Sequence, residues 1–296
     1  MADHIFTGSG VAIVTPMNND GSVNYEEYAR LIDYQVNNGI DAIIACGTTG
    51  ESAAMSGDEH CKVIDFTVKH VDKRVPVIAG TGSNDTAFAV ELSQEAEKLG
   101  ADAILSVTPY YNKTSQDGLV RHYTYIADKI NIPMILYNVP SRTGVNIRPE
   151  TYAKLCKHPN IKATKEANGD LTALVRTMAL CGDELDVYSG EDAQAFAITA
   201  MGGLGVISVF ANLCPKESHD LVQKALDGDF KGSFDMQKKY IALMDALFSD
   251  VNPIPVKAAM NLMGYRCGSC RLPLAPMSDS GLAALKDCMK SYELIK

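Results

Sequence analysis

The sequence predicts an α/β fold, a (β/α)8 TIM barrel carrying a C-terminal helical extension. Three observations lead there. Eight short apolar runs recur along the first part of the chain, amphipathic segments separate them, and no Gly-x-Gly-x-x-Gly follows the first run. Strict alternation of strand and helix implies a parallel sheet, and eight units in about 225 residues match a closed barrel. An open doubly wound sheet alternates in the same way. The count of eight and the missing dinucleotide fingerprint favour the closed form.

In chain order, Gly10-Val11-Ala12-Ile13-Val14-Thr15-Pro16 is an apolar run ended by a breaker, as expected of a buried parallel strand. Residues 25–36 place Tyr25, Tyr28, Ala29, Leu31, Ile32 and Val36 at helical spacing, with Gly39 just beyond. Strand-like runs follow at 42–46, 75–79, 103–107, 134–137, 161–166, 185–188 and 206–210. Helical periodicity fills 56–71, 86–99, 118–130, 149–156, 171–181 and 191–201. Gly100, inside Lys-Leu-Gly-Ala-Asp-Ala, reads as a helix cap before the next strand. After Phe210 the strands stop, and 215–226, 234–248, 255–263 and 280–295 all read as helices, punctuated by Pro253, Pro255, Pro273 and Pro276. We assign 1–228 to the barrel and 229–296 to the extension, with no linker between them.

The 296 residues are 46% hydrophobic and 21% charged, enough for a large core. A net charge of −9 argues against general nucleic-acid or anionic-membrane binding, which relies on basic patches. No apolar run is long enough to span a bilayer, and the first residues lack a basic region followed by an apolar core, so a cytoplasmic location is expected. Five of the eight cysteines (Cys46, Cys61, Cys156, Cys181 and Cys214) lie in apolar stretches as small hydrophobes. Cys267-Gly268-Ser269-Cys270 has the spacing of half a zinc site, but no matching second pair exists, so structural thiols and no metal are expected.

Function in such a barrel gathers where strands end. Residues 160–167 read Asn-Ile-Lys-Ala-Thr-Lys-Glu-Ala. Alternation puts Ile161, Ala163, Lys165 and Ala167 on one face. A lysine among apolar neighbours loses solvation of its charged form, and its pKa falls. The neutral amine can then attack a ketone to form a Schiff base. Taken alone, the stretch reads better as a lysine that packs its stem and sends its ammonium to water. Lys162, Thr164 and Glu166 make the opposite face polar, which is unusual under a layer of helices, and nothing in the sequence says what satisfies Glu166.

The other strand ends change that balance. Gly47-Thr48-Thr49-Gly50-Glu51 can present backbone N–H groups beside two hydroxyls, a cradle for a carboxylate, or simply form an ordinary turn. Tyr111 and Tyr137 can relay protons if hydrogen-bonded in a chain, or merely pack. Arg142, in Pro-Ser-Arg-Thr-Gly, can grip a carboxylate with its fork or sit solvated on a loop. Polar and aromatic residues thus recur on one rim, and in that company the Schiff-base reading of Lys165 overtakes the bland one. The six histidines are scattered without ligand spacing, and no serine-nucleophile or phosphate loop is present.

Gly-Thr-Thr-Gly-Glu at 47–51, Tyr-Tyr-Asn-Lys at 110–113, Tyr-Asn-Val-Pro-Ser-Arg-Thr-Gly at 137–144, Lys-Glu-Ala at 165–167 and Asn-Pro-Ile-Pro-Val-Lys at 252–257 together closely resemble the dihydrodipicolinate synthase family. The lysine with Gly-x-Thr-Gly-Glu marks only the wider superfamily of pyruvate-dependent aldolases. The double threonine and the Tyr-x-x-x-x-Arg spacing are more specific. The resemblance implies a lyase of lysine and diaminopimelate biosynthesis that condenses pyruvate with aspartate 4-semialdehyde. Lys165 would carry the imine. Tyr137, Thr48 and Tyr111 would move protons, with Tyr111 crossing into a neighbouring subunit. Thr48 and Thr49 would hold the pyruvate carboxylate, Arg142 the semialdehyde carboxylate, and Gly190 and Ile207 would line the pyruvate pocket. It also implies no metal or organic cofactor and a homotetramer built from tight dimers.

Family members are often inhibited by lysine. Ser52, Ala53, His60, Asn84 and Tyr110 fit the positions of that effector site, but Gly57 stands where sensitive enzymes often have His and Phe88 where they have Glu. A phenyl group cannot pair the effector's ammonium, so weak or absent inhibition is expected. Two other readings remain open on sequence: a sister aldolase acting on a sugar acid such as N-acetylneuraminate or a 2-keto-3-deoxy acid, and a silent metabolite-binding barrel. Arg142 and the second threonine argue against the first, and the full set of catalytic side chains against the second.

Overall fold

The computed structural model describes residues 4–296. Eight parallel strands close on themselves in sequence order: β1 (Gly8–Ala12), β2 (Ala42–Ala45), β3 (Val77–Gly80), β4 (Ala103–Val107), β5 (Met134–Asn138), β6 (Ile161–Glu166), β7 (Asp186–Ser189) and β8 (Gly205–Ser208). Between them run α1 (Tyr25–Asn37), α2 (Gly57–Val71), α3 (Thr86–Lys98), α4 (Gln116–Ala127), the single turn α5 (Pro140–Thr143), α6 (Pro149–Leu155), α7 (Leu171–Cys181) and α8 (Ala195–Ala200). α9 (Pro215–Leu226), α10 (Phe230–Ala246), α11 (Ile254–Leu262) and α12 (Asp279–Ser291) complete the chain. Among the described residues no helix is long and apolar enough to cross a membrane.

Short polar side chains start many of these helices by accepting a first-turn N–H: Asn24, Ser56, Asp85, Ser115, Asp170, Asp229 and Ser278. Asp229 in particular begins α10 four residues ahead of the expected start at 234. Two apolar layers then form. Outward-facing Val11, Ile43, Ile104, Leu136 and Val206 pack against Tyr28, Ile32, Ile64 and Tyr123 of the helices. Inward-facing Ile44, Ile78, Leu105, Ile135, Ala163 and Ile207 fill the barrel, as strand alternation requires. Phe6 stacks on Tyr188 inside the barrel at 4.3 Å, and the Tyr188 hydroxyl donates to the Phe6 carbonyl. The closing seam admits no side chain: a Cβ on Gly205, at φ +149, would stand 1.8 Å from the Gly8 oxygen.

Three expectations need correction. β1 ends at Ala12, not Pro16, because the chain turns away where the Val14 N–H donates to Asn212 on the loop after β8. β8 stops at Ser208, not Phe210, because Asp192 captures the Val209 and Phe210 N–H groups and bends them into a short turn. Ile161 does not share the face of Lys165. A register shift between Met134 and Ile135 leaves Ile161 in the outer layer and turns Ala163 inward.

Candidate active site

Lys165 projects into the barrel from the C-terminal end of β6, only 5% exposed. It pairs in register with Tyr137 of β5, and its Nζ lies 4.3 Å from the Tyr137 ring centroid. Burial lowers the lysine pKa to about 8, against partial restoration by the carboxylates of Asp192 and Glu191. Relative to an ordinary lysine, this raises the neutral fraction at pH 7 from about three in ten thousand to about one in ten. The amine is therefore a usable nucleophile. The Tyr137 phenol is pushed up to about 12, chiefly by burial, so it stays protonated and can donate; Arg142 and Thr48 act in the opposite direction and ease its ionisation.

The turn after β2 forms as the sequence suggests. Gly50 N and Glu51 N donate back to the Gly47 and Thr48 carbonyls, which leaves the Thr48 and Thr49 N–H groups outside these turn bonds. Thr15 ties the turn down by donating to the Gly50 carbonyl, 2.8 Å. Thr49 is buried and accepts a hydrogen bond from Asn252 Nδ2, 3.0 Å. Arg142, on α5, is exposed at the mouth and donates to the Asn252 carbonyl, 3.3 Å. Asn252 thus links Thr49 and Arg142, and it comes from the extension.

Gly190 follows β7, and Ile207 is buried within the barrel. Gly190 N donates to the Glu166 carbonyl, 2.7 Å, and a Cβ there would stand 2.7 Å from the Ala167 Cβ, so only glycine allows this approach. Tyr111 is not packed into this chain's own site. It is 92% exposed, at φ +69, on the loop after β4.

A cavity of about 480 Å³ opens beside the site. Thr48, Arg142 and Asn252 line one part, and Ser52, Ala53, His60, Phe88 and Tyr110 also line it. Lys165 and Tyr137 do not line this cavity. Asn84 lines a different one, beside Asn112 and His122. Burial lowers the His60 pKa, and the ring hydrogen-bonds the Gly80 carbonyl, 2.7 Å. The Phe88 ring lies against Gly57: a Cβ on Gly57 would stand 3.5 Å from it, in ordinary van der Waals contact.

Sequence reasoning passed over four residues. Asp192 is buried, accepts from Ser208 Oγ at 2.5 Å and acts electrostatically on Lys165. Its position just past β7 was the available signal. Asn252 had only its place in a Pro-rich motif. Of the pair that holds Glu166, Asn138 had only its place in the 137–144 motif and Tyr152 no signal, since nothing local says that a strand-end amide and a helical tyrosine will meet.

A profile of the Dihydrodipicolinate synthetase family matches residues 5–292. The 4-hydroxy-tetrahydrodipicolinate synthase of Acetivibrio thermocellus is 53% identical over 295 residues, covering all of both chains. That of Lachnoclostridium phytofermentans is 52% identical over 292 residues, covering 98% of this chain and 99% of its own. Among solved structures, the dihydrodipicolinate synthase of Acinetobacter baumannii complexed with pyruvate superposes with a TM-score of 0.96 at 41% identity, covering 98% of this chain and 99% of that one. With a profile match along nearly its whole length and relatives identical at half of their positions, the chain belongs to the dihydrodipicolinate synthetase family.

Proposed function

We propose that this chain is a Schiff-base lyase that condenses pyruvate with L-aspartate 4-semialdehyde to 4-hydroxy-tetrahydrodipicolinate, toward diaminopimelate and lysine. The observation that carries the reading is Lys165, buried, lowered to about 8 and facing Tyr137 inside the barrel. The neutral amine adds to the pyruvate ketone, and loss of water gives the imine. Loss of a methyl proton gives the enamine, whose carbon attacks the aldehyde. The substrate's own amine then adds to the imine carbon, closing a six-membered ring and releasing Lys165. Tyr137, beside Thr48, moves protons at the imine. Thr48 and Thr49 hold the pyruvate carboxylate, Arg142 holds that of the semialdehyde, and Gly190 and Ile207 shape the pocket.

The exposure of Tyr111 supports its role as a proton carrier for a second copy's site. In this reading the catalytic unit is a tight dimer, two of which make a tetramer. Residues 1–228 supply the barrel, and 229–296 brace its active rim.

Incubation with pyruvate followed by borohydride should reduce the imine and add a stable label to the Lys165 peptide, read by mass spectrometry. Labelling elsewhere, or none, would sink the mechanism. A coupled assay comparing aspartate semialdehyde with sugar acids then tests the substrate. Phe88 and Gly57 lead to a second expectation, that lysine inhibits weakly or not at all, because no carboxylate pairs its ammonium at position 88. Half-inhibition at about 1 mM or below in a steady-state assay would contradict it.

A further inference from the structure

One buried acid has no part in that mechanism. Glu166 is 4% exposed on the outer face of β6, one residue after the lysine. Its hydrogen-bond partners are neutral donors. Oε1 accepts from Asn138 Nδ2 and from the Asn168 N–H, both at 2.9 Å. Oε2 accepts from the Tyr152 hydroxyl at 2.9 Å and from Asn138 Nδ2 at 3.1 Å. Thr164 in turn donates to the Tyr152 oxygen, 3.0 Å. The carboxylate therefore joins the end of β5, the end of β6, helix α6 and the loop after β6.

Those strand ends are the ones that carry the reacting groups. Asn138 is in register with Glu166, and Tyr137 with Lys165. Successive residues face opposite sides, so the outer pair and the inner pair share a backbone. Asn138 extends the bracing, since its Oδ1 accepts from the Ile147 N–H at 3.1 Å and its Nδ2 donates to Asn146. The β5–β6 pairing has a register shift at its start, where the ladder is locally disrupted.

We propose that Glu166 is a positioning residue for the Lys165–Tyr137 pair, clamping β5 to β6 from the outer face so that the two inner side chains keep their spacing. The inference rests on the Schiff-base reading of Lys165. Only the ionised carboxylate matches the clamp, because it accepts everywhere and its neighbours donate. A protonated carboxyl, or an amide, sets a donor against a donor and loosens the strand ends. The titratable groups around it are phenols: Tyr152 of α6, Tyr123 of α4 behind it, and Tyr137 of β5, all raised by burial. Burial also raises Glu166 itself to about 7, with Asn138, Tyr152 and the backbone donors holding it down. The clamp therefore holds above neutrality and releases as pH falls through about 7.

The test uses the full-length protein, pyruvate and borohydride, with the rate of Lys165 labelling at saturating pyruvate followed from about pH 6 to 9. Glu166→Gln should slow labelling and kcat by about tenfold or more, since displacement by about 1 Å costs up to about a hundredfold. The KM for pyruvate should stay within about twofold, because the Thr48–Thr49 cradle is on another strand. The acid limb should be steeper than one ionisation in the native protein, where both Lys165 and Glu166 titrate, and should follow a single ionisation in Glu166→Gln. Tyr152→Phe, which removes one donor and keeps the carboxylate, should slow labelling about two- to fivefold with the KM for pyruvate unchanged and the acid limb still steep, and it decides the question if Glu166→Gln fails to fold. Native kcat within about twofold, a raised KM at intact kcat, or a steep acid limb surviving in Glu166→Gln would overturn the proposal. Failure of the native protein to label would instead overturn the Schiff-base reading.

Discussion

Lys165→Met should abolish the condensation and at the same time stabilise the fold. The loss of rate is expected to reach about 10⁴-fold or more, as for other covalent nucleophiles. The stability change follows from linkage. The lysine pKa is 10.5 in the unfolded chain, the ordinary value, and about 8 when buried here. Well above about pH 10.5 the amine is neutral in both states and its ionisation contributes nothing against folding. As pH falls from there toward 8, the unfolded chain gains a proton that the folded chain takes up less readily, and below 8 the full penalty applies. At about pH 7 that penalty is about 3 kcal/mol, which methionine removes. Thermal unfolding at neutral pH should show a higher Tm for Lys165→Met, and the gap should shrink as pH rises from about 8 and nearly close by about pH 11. A variant equally or less stable at both values would mean that Lys165 is not held at a cost. Stability given up for a reactive group is common at active sites.

Lys257→Met should be the most damaging single change outside the reacting groups. Lys257, on α11, donates to Glu51 Oε1 at 2.7 Å, and both side chains are 2% exposed. Glu51 Oε2 accepts from the Arg271 N–H, 2.8 Å, and Lys257 also donates to the Ser269 carbonyl, 3.0 Å. Glu51 closes the threonine turn at φ +59, a conformation that a non-glycine residue holds only when its surroundings impose it. Methionine matches the lysine in shape but leaves a carboxylate buried with one donor. Breaking such a pair costs about 3–5 kcal/mol, a fall in Tm on the order of 10 °C for a chain of this size. The double variant Glu51→Gln with Lys257→Met should recover most of this, since no buried charge is left unpaired. A loss below about 1 kcal/mol in the single variant would show that the pair behaves as a solvated one. The KM for pyruvate should rise as well, because the turn that offers the Thr48 and Thr49 N–H groups loses its anchor.

The barrel was legible because its strands are buried on both faces and so stand out as continuous apolar runs. Boundaries failed where a distant side chain overrode the local pattern. Residues 209 and 210 continue the apolar run of β8, but Asp192 takes their N–H groups. Ile161 fits the alternation that reaches Lys165, but a register shift moves it to the other layer. Lys165 itself was legible through its small neighbours and its place at a strand end. The groups that tune it, Asp192 and Glu191 past β7, were visible as residues but not as its partners.

The sequence by itself determined the alternation of eight units, the lysine among small apolar residues and the glycine–threonine turn, because periodicity and turn chemistry are written in neighbouring residues. Tertiary structure alone decided how reactive that lysine is. Desolvation and Coulomb interactions depend on depth and on distances between strands, which no run of residues records. It also decided what balances the polar face of β6. Asn138 and Tyr152 close around Glu166 only when β5 and α6 are packed beside it. Likewise Asn252 and Lys257 reach Thr49 and Glu51 across some 200 residues of chain only because the extension folds back onto the rim.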